Sequence, residues 1–197
     1  MSLEDRYPRQ VEQGGVALEL RWMSPEDQAS VAKFAETLSP HDLLFLRRDI
    51  TEPKVLQAWA GQVESGEISS LVAVGEPGIV GCSAIVVDDH SWSPHVGELR
   101  VLLGADYRSQ GLGRMLIQES FLVAMDRGLE KLTAQMTADQ DAAINVFQDM
   151  GFKPEALLRD QVKDNEGKYH DIVILSFDVR AYEARAAQYG LSEAFAD

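Results

Sequence analysis

Residues 106–117 read DYRSQGLGRMLI. Arg108 stands three positions before Gly111, Gly113 follows two later, and Arg114 adds a second cation. An apolar pattern with helical spacing begins directly afterwards. The first-turn N–H groups of a helix have no partner within it, and its dipole places roughly half a positive charge at that end. Such an end suits an anion, and residues without a Cβ let a phosphate approach the backbone. Arg108, Ser109, Gln110, Gly111, Leu112, Gly113 and Arg114 therefore form a candidate pyrophosphate cradle. The competing reading is a plain glycine loop leading into a core helix.

Two other phosphate motifs do not fit. A P-loop needs Gly-Lys-Ser/Thr, and the stretch lacks it. A dinucleotide-binding loop needs a third glycine where Leu116 stands. Glu130 follows at a suitable separation, but at the start of its strand rather than the end that would hold a ribose.

The elements that must position this loop follow from periodicity and turn residues. Residues 16–23 alternate apolar and polar side chains and read as a strand. Ser24 then suits an N-cap and Pro25 a first helical position, which predicts a helix to about residue 38. SPHD at 39–42 opens a short second segment, and 51–66 reads as a helix with Val55, Leu56 and Trp59 on one face. Residues 68–87 form two apolar runs around Glu-Pro-Gly, a β-hairpin. After the loop DDHSWSP, residues 97–104 form the strand that feeds the glycine stretch. Residues 111–128 are the clearest helix, 129–137 a strand, 138–151 a short helix, and 157–179 a hairpin turning at DNEG. A weak terminal helix ends the chain. Short links make the three strands within 68–104 antiparallel to their neighbours, whereas the helical crossover makes 97–104 and 129–137 parallel. The expected fold is α/β: a mixed, largely antiparallel sheet with helices on both faces. The expected division is an N-terminal extension at 1–13, one domain at 14–180, and a C-terminal helical extension at 181–197.

Two stretches then carry a family resemblance. ELRVLLGADYRSQGLGRMLI resembles the acetyl-CoA-binding motif of the GNAT family of N-acetyltransferases, whose signature is Arg/Gln-x-x-Gly-x-Gly/Ala. DQDAAINVFQDMGF resembles the family's second motif, a short helix ending in aromatic-x-x-x-Gly-Phe. The motifs stand in the family's order, and the resemblance covers about residues 16–179. Residues 16–39 and 44–51 are also similar, more loosely, to the acetyltransferase domains of bacterial protein-lysine acetylases. The resemblance implies an acyl-CoA N-acyltransferase fold in which the strands at 97–104 and 129–137 splay apart. The pantetheine arm of acetyl-CoA would lie in the gap along Val101, Leu102 and Leu103, with its pyrophosphate wrapped by 108–114. Val101 and Leu103 serve equally as sheet core, because those contacts use backbone.

Acetyl transfer requires a neutral amine, and a lysine ammonium has a reference pKa near ~10.4. Glu98 is the candidate general base, direct or through water, sharing a face with Arg100 and Leu102. A solvated strand-end glutamate is the alternative. Family members often protonate the leaving thiolate with a tyrosine at the position that here holds Phe147, which has no proton to give. Tyr107 and Tyr169 are the substitutes in view. Gln140 stands where the family places an asparagine at the start of the same helix, and its amide is a candidate cofactor contact. His90 and His95 beside Asp88 and Asp89 read as a polar turn, and no metal is expected. Arg47 and Arg48 fall where the family lines its acceptor site, or form a solvated pair. Cys82 reads as core.

A formal net charge of −14 disfavours nucleic acid and anionic membranes and suits a cationic partner. One cysteine and a polar start without an apolar signal-like run point to a cytoplasmic setting. The expectation is an N-acetyltransferase that takes acetyl-CoA as co-substrate. A primary amine, on a protein lysine or a small molecule, attacks the thioester directly in a ternary complex. A homodimer is common for this shape. The alternative is a CoA-binding regulatory module without catalysis, which Phe147 favours.

Overall fold

The computed structural model describes residues 3–46 and 48–188. Eight strands form one sheet in the order β1-β2-β3-β4-β5-β6-β8-β7. They are β1 (Arg9–Gln13), β2 (Val16–Trp22), β3 (Ile68–Gly75), β4 (Gly78–Val86), β5 (Val96–Leu103), β6 (Lys131–Thr137), β7 (Lys153–Lys163) and β8 (Tyr169–Asp178). The helices are α1 (Gln28–Glu36), α2 (Pro53–Glu64), α3 (Leu112–Asp126), α4 (Asp141–Asp149) and α5 (Val179–Gln188). β5 and β6 pair in parallel and every other neighbouring pair is antiparallel. The parallel pair and the antiparallel β3–β4, β4–β5 and β7–β8 pairs are those expected from the connections, whereas β2–β3, joined through α1 and α2, is antiparallel without a short link.

Apolar side chains bury on both faces. On one face Leu112, Leu116, Ile117 and Phe121 of α3 pack with Leu99, Leu132 and Leu175 of the sheet. On the other, Val31 and Phe34 of α1 and Leu56 and Trp59 of α2 cover Val72, Cys82 and Leu102. Each fully buried side chain of this size contributes roughly 1.5–3 kcal/mol relative to exposure. The alternation along β5 sends Leu99 to the first core and Leu102 to the second.

The residues read as an N-terminal extension contribute to this domain. Residues 9–13 add a strand to the edge of the sheet, from Arg9 opposite Leu20 to Gln13 opposite Val16. The two-residue turn is Gly14-Gly15, with φ of 60° and 80°, values open to glycine and costly for most other residues. Periodicity missed β1 because RQVEQ holds one apolar residue and half-buries alternate positions. Tyr7 is buried, and its hydroxyl donates to Glu119 Oε2 of α3 at 2.6 Å. Arg6 Nε donates to the same oxygen at 3.0 Å, and Arg9 bonds the other. At the far end, Val179 is buried and the Tyr182 ring of α5 packs at a tilt against Phe121 and Phe177. Residues 189–197, the rest of the expected C-terminal extension, lie outside the described residues.

Candidate active site

The gap expected from the resemblance is present between β5 and β6. Their register holds for three pairs, Val96–Lys131, Gly97–Leu132 and Glu98–Thr133, and then ends. Beyond it β5 continues with β4 as far as Leu103–Gly81, while β6 continues with β8 as far as Thr137–Ile172. Each strand follows its own half of the twisted sheet, so among the described residues the edge of β5 from 99 to 103 has no ladder partner on that side. Unpaired strand edges seek partners. An extended chain of amides laid into such a gap would add a strand to β5. The joint itself is tight: a Cβ at Gly97 would lie 2.8 Å from Ile85 and Leu129.

The mouth of the gap is formed by the glycine loop. A short 3-10 turn (Ala105–Tyr107) leaves β5, Ser109 takes φ 59°, and Gly111, with φ 87°, is the N-cap of α3. The sequence reading held that Gly111 and Gly113 leave room for phosphate, and the structure assigns each a packing reason as well. A Cβ on Gly111 would be strained by its φ and would meet Gln13 Oε1 at 2.9 Å. A Cβ on Gly113 would lie 3.0 Å from Leu103 Cδ1, so its absence lets α3 settle on β5. The β1–β2 turn braces the loop from behind, with Gly14 packed against the Gln110 side chain and Gln13 Nε2 3.6 Å from Met115 Sδ.

Both loop arginines hold carboxylates. Arg108 Nη2 lies 2.7 Å from Asp42 Oδ2 and also reaches Leu103 O at 3.4 Å. Arg114 Nη2 donates to Asp149 Oδ2 of α4 at 2.9 Å. Asp42 comes from the 3-10 turn Pro40–Leu43, which Ser39 and Asp42 cap reciprocally. Burial opposes ionisation of Asp42, but hydrogen bonds from Arg108 and Ser39 outweigh it and hold the carboxyl below its ordinary range. Asp42 is a site residue that sequence reasoning missed, because 66 positions separate it from Arg108.

Glu98 occupies the last paired position before the gap, and its side chain is 12% exposed, so it is not a solvated strand-end residue. Arg100 Nε donates to Glu98 Oε1 at 2.8 Å, as their shared face allows. Beside them, on the α1–α2 face, lies a cavity of about 490 Å³. Arg100, Leu102, Trp59 and Ile50 line its body, and Glu67, Asp88 and Asp89 add acidic groups. Arg48 joins the lining, whereas Arg47 lies outside the described residues.

The remaining candidates divide. Gln140 is the N-cap of α4, and its Oε1 accepts from Thr137 N at 3.2 Å. Phe147 is buried, edge-on to Phe152 with ring centroids 5.0 Å apart. Val101 and Leu103 are partly buried against the α3 core, so they share the sheet-core role. Tyr169 is exposed beneath Lys163, and Tyr107 packs in the turn after Gly104. His90 sits in a turn built on Asp88, as read. Burial pushes the Cys82 thiol up to about 12, which leaves it inert. Among the described residues no helix is long and apolar enough to cross a membrane.

The parallel strand pair thus parts above a glycine loop at the N-terminus of α3. The profile described as acetyltransferase (GNAT) family matches residues 33–152. The chain belongs to that family and is an acetyl-CoA-dependent N-acetyltransferase. It is 25% identical over 108 residues to N-alpha-acetyltransferase 30 of Schizosaccharomyces pombe, covering 54% of this chain and 72% of that one. Its fold is similar to that of a GNAT-family acetyltransferase from Streptococcus pneumoniae, with a TM-score of 0.71 and 23% identity over 82% of this chain and 99% of the other. It is likewise similar to an acetyltransferase from Salmonella typhimurium solved with its cofactor acetyl-CoA, with a TM-score of 0.68 and 17% identity over 82% and 94% of the two chains.

Proposed function

We propose that this protein transfers acetyl from acetyl-CoA to a primary amine by direct attack within a ternary complex. The observation that carries the reading is the parting of β5 and β6 directly after Glu98, with a cavity lined by both acidic and basic groups on one face and the α3 N-terminus at the mouth. The pantetheine amides would pair with the free edge of β5 at Val101, Leu102 and Leu103. The α3 first turn, Ser109, Gln110, Arg108 and Arg114 would hold the pyrophosphate, with Gln140 and Phe147 beside the arm. Backbone N–H groups of β5 would polarise the thioester carbonyl. The neutral amine nitrogen would attack the carbonyl carbon, and its proton would pass to Glu98 directly or through water. The C–S bond would break with its electron pair leaving on the CoA sulfur, a thiolate that then takes a proton from water. Arg100 orients the Glu98 carboxylate.

The acceptor is a protein amine. The relative from Schizosaccharomyces pombe is named for acetylation of α-amines, and the looser likeness to lysine acetylases points to an ε-amine. Glu67, Asp88 and Asp89 around the cavity, with the net charge of −14, suit a cationic acceptor better than an anionic one. The cytoplasm is the setting proposed.

Steady-state release of free thiol with a panel of peptide α-amines, lysine peptides and polyamines tests the activity. Glu98→Gln should lower kcat/KM by at least ~10-fold, and the loss should shrink as pH rises toward the amine pKa. A pH-independent loss would assign Glu98 to positioning. Phe147→Tyr tests the thiolate donor. A hydroxyl facing the pantetheine channel should raise the rate wherever thiolate departure is limiting. A hydroxyl pressed against Phe152 should cost roughly 1–3 kcal/mol of stability with no gain in rate, and would place residue 147 in the core alone.

A further inference from the structure

We infer that this protein carries a binding site for a divalent transition metal of the Zn2+ class, made by His41, Asp139 and His170. His41 comes from the 3-10 turn Pro40–Leu43, Asp139 from the connection between β6 and α4, and His170 from β8. One donor atom of each lies within 4.8 Å of the other two. His41 Nε2 is 3.1 Å from Asp139 Oδ1 and 3.3 Å from Thr137 Oγ1. The two imidazoles meet edge to face with centroids 5.2 Å apart. Donors around one Zn2+ sit about 2.0–2.2 Å from the ion, so tetrahedral ligands lie roughly 3.3–3.6 Å from one another. The His41–Asp139 distance already approaches that, and the third donor closes by about one ångström of side-chain rotation.

The ligand set and its support fit the same ion. Two imidazoles and one carboxylate select zinc, copper or nickel over magnesium and calcium. Three protein ligands leave the fourth position to water. His170 is buried, and its Nε2 lies 2.8 Å from Asp164 Oδ2. A carboxylate on one ring nitrogen fixes the tautomer and leaves Nδ1 with the lone pair, the arrangement that supports metal-bound histidines. The ion would fasten the Pro40–Leu43 turn to β6 and β8. That turn also carries Asp42, which holds Arg108 across the mouth of the gap. These residues lie far apart in the sequence, so no ligand spacing announces them.

The test is a Co2+ titration of chelator-stripped full-length protein, read as visible ligand-field absorption, followed by Zn2+ calorimetry. Wild type should bind one ion with a low-coordinate spectrum and gain thermal stability from Zn2+. His41→Ala and Asp139→Ala, both at accessible positions, should lose the band. Asp164→Asn should weaken binding roughly 10- to 100-fold. His90→Ala and His95→Ala should bind as wild type does. Absence of any band or heat with the wild type would overturn the site, as would binding that survives His41→Ala and Asp139→Ala. No CoA enters these measurements, so their failure would leave the acetyltransferase reading untouched.

Discussion

Helix α3 carries arginine–carboxylate contacts at two places, and the two behave as different devices. Along its body, Glu119 is almost fully buried and receives Arg6, Tyr7 and Arg9. At and just before its N-terminus, Arg114 and Arg108 hold Asp149 and Asp42 with nearly half of each arginine side chain exposed. The first group is the more enclosed: Glu119 and Tyr7 are buried, Arg6 and Arg9 keep only 24% and 33% of their side chains exposed, and the N-terminal residues that supply them are thereby tied to the domain. The second is exchangeable, because a solvated pair is worth about 0.2–1 kcal/mol and a phosphate can displace it. The same chemistry serves stability where water is excluded and binding where water enters.

The largest effect should follow from Glu119→Gln. It removes the charge that Arg6 and Arg9 share, and because both arginines are partly exposed and the amide oxygen still accepts, the cost should be about 1–3 kcal/mol, or a melting-temperature drop of roughly 2–10 °C for a chain of this size. CoA affinity of the folded variant should stay close to wild type. Acid titration probes the same group. Burial opposes the Glu119 charge, yet Arg6, Tyr7 and Arg9 hold its carboxyl below 4.5. A depressed carboxylate stabilises fully above its unfolded pKa and loses that contribution as pH falls through the folded value. Chemical denaturation should therefore show wild type losing stability below pH 4.5 and Glu119→Gln losing less. Equal losses would remove the network from the account.

Arg108→Ala should act the other way, weakening CoA by roughly 10- to 100-fold, the worth of a charge-assisted hydrogen bond, with little change in melting temperature. Calorimetry with CoA and with dephosphorylated pantetheine separates the pyrophosphate contact from the arm. Unchanged CoA affinity would mean that the loop holds no pyrophosphate through Arg108. The smallest effect is expected from Asp42→Asn, which releases Arg108 from its present partner. CoA should bind about 2- to 5-fold more tightly, the range of an exposed pair. Weaker binding would show Asp42 to be a positioning residue for Arg108.

Much of the site was legible before the fold. Arg108, Gly111, Gly113 and Arg114 lie within seven residues, and the dihedral needs of a helix start mark them locally. The parallel β5–β6 pair followed from the length of its crossover, and Gly14-Gly15 before the alternation of 16–23 was a hairpin signal that would have announced β1. Periodicity and turn chemistry act over a few neighbours, so one strand of sequence suffices to show them. Asp42 on Arg108, Glu119 under Arg6 and Arg9, and His41 beside Asp139 and His170 are contacts between distant segments. So is the second role of the two loop glycines, set by Gln13 and Leu103. Such pairings depend on how the sheet twists and which face each helix covers, and those are properties of the packed core as a whole. The sequence by itself determined the glycine loop, most of the elements and, through its family resemblance, the expected class of co-substrate. Tertiary packing alone decided which charges are sealed, which can be exchanged, and which side chains converge.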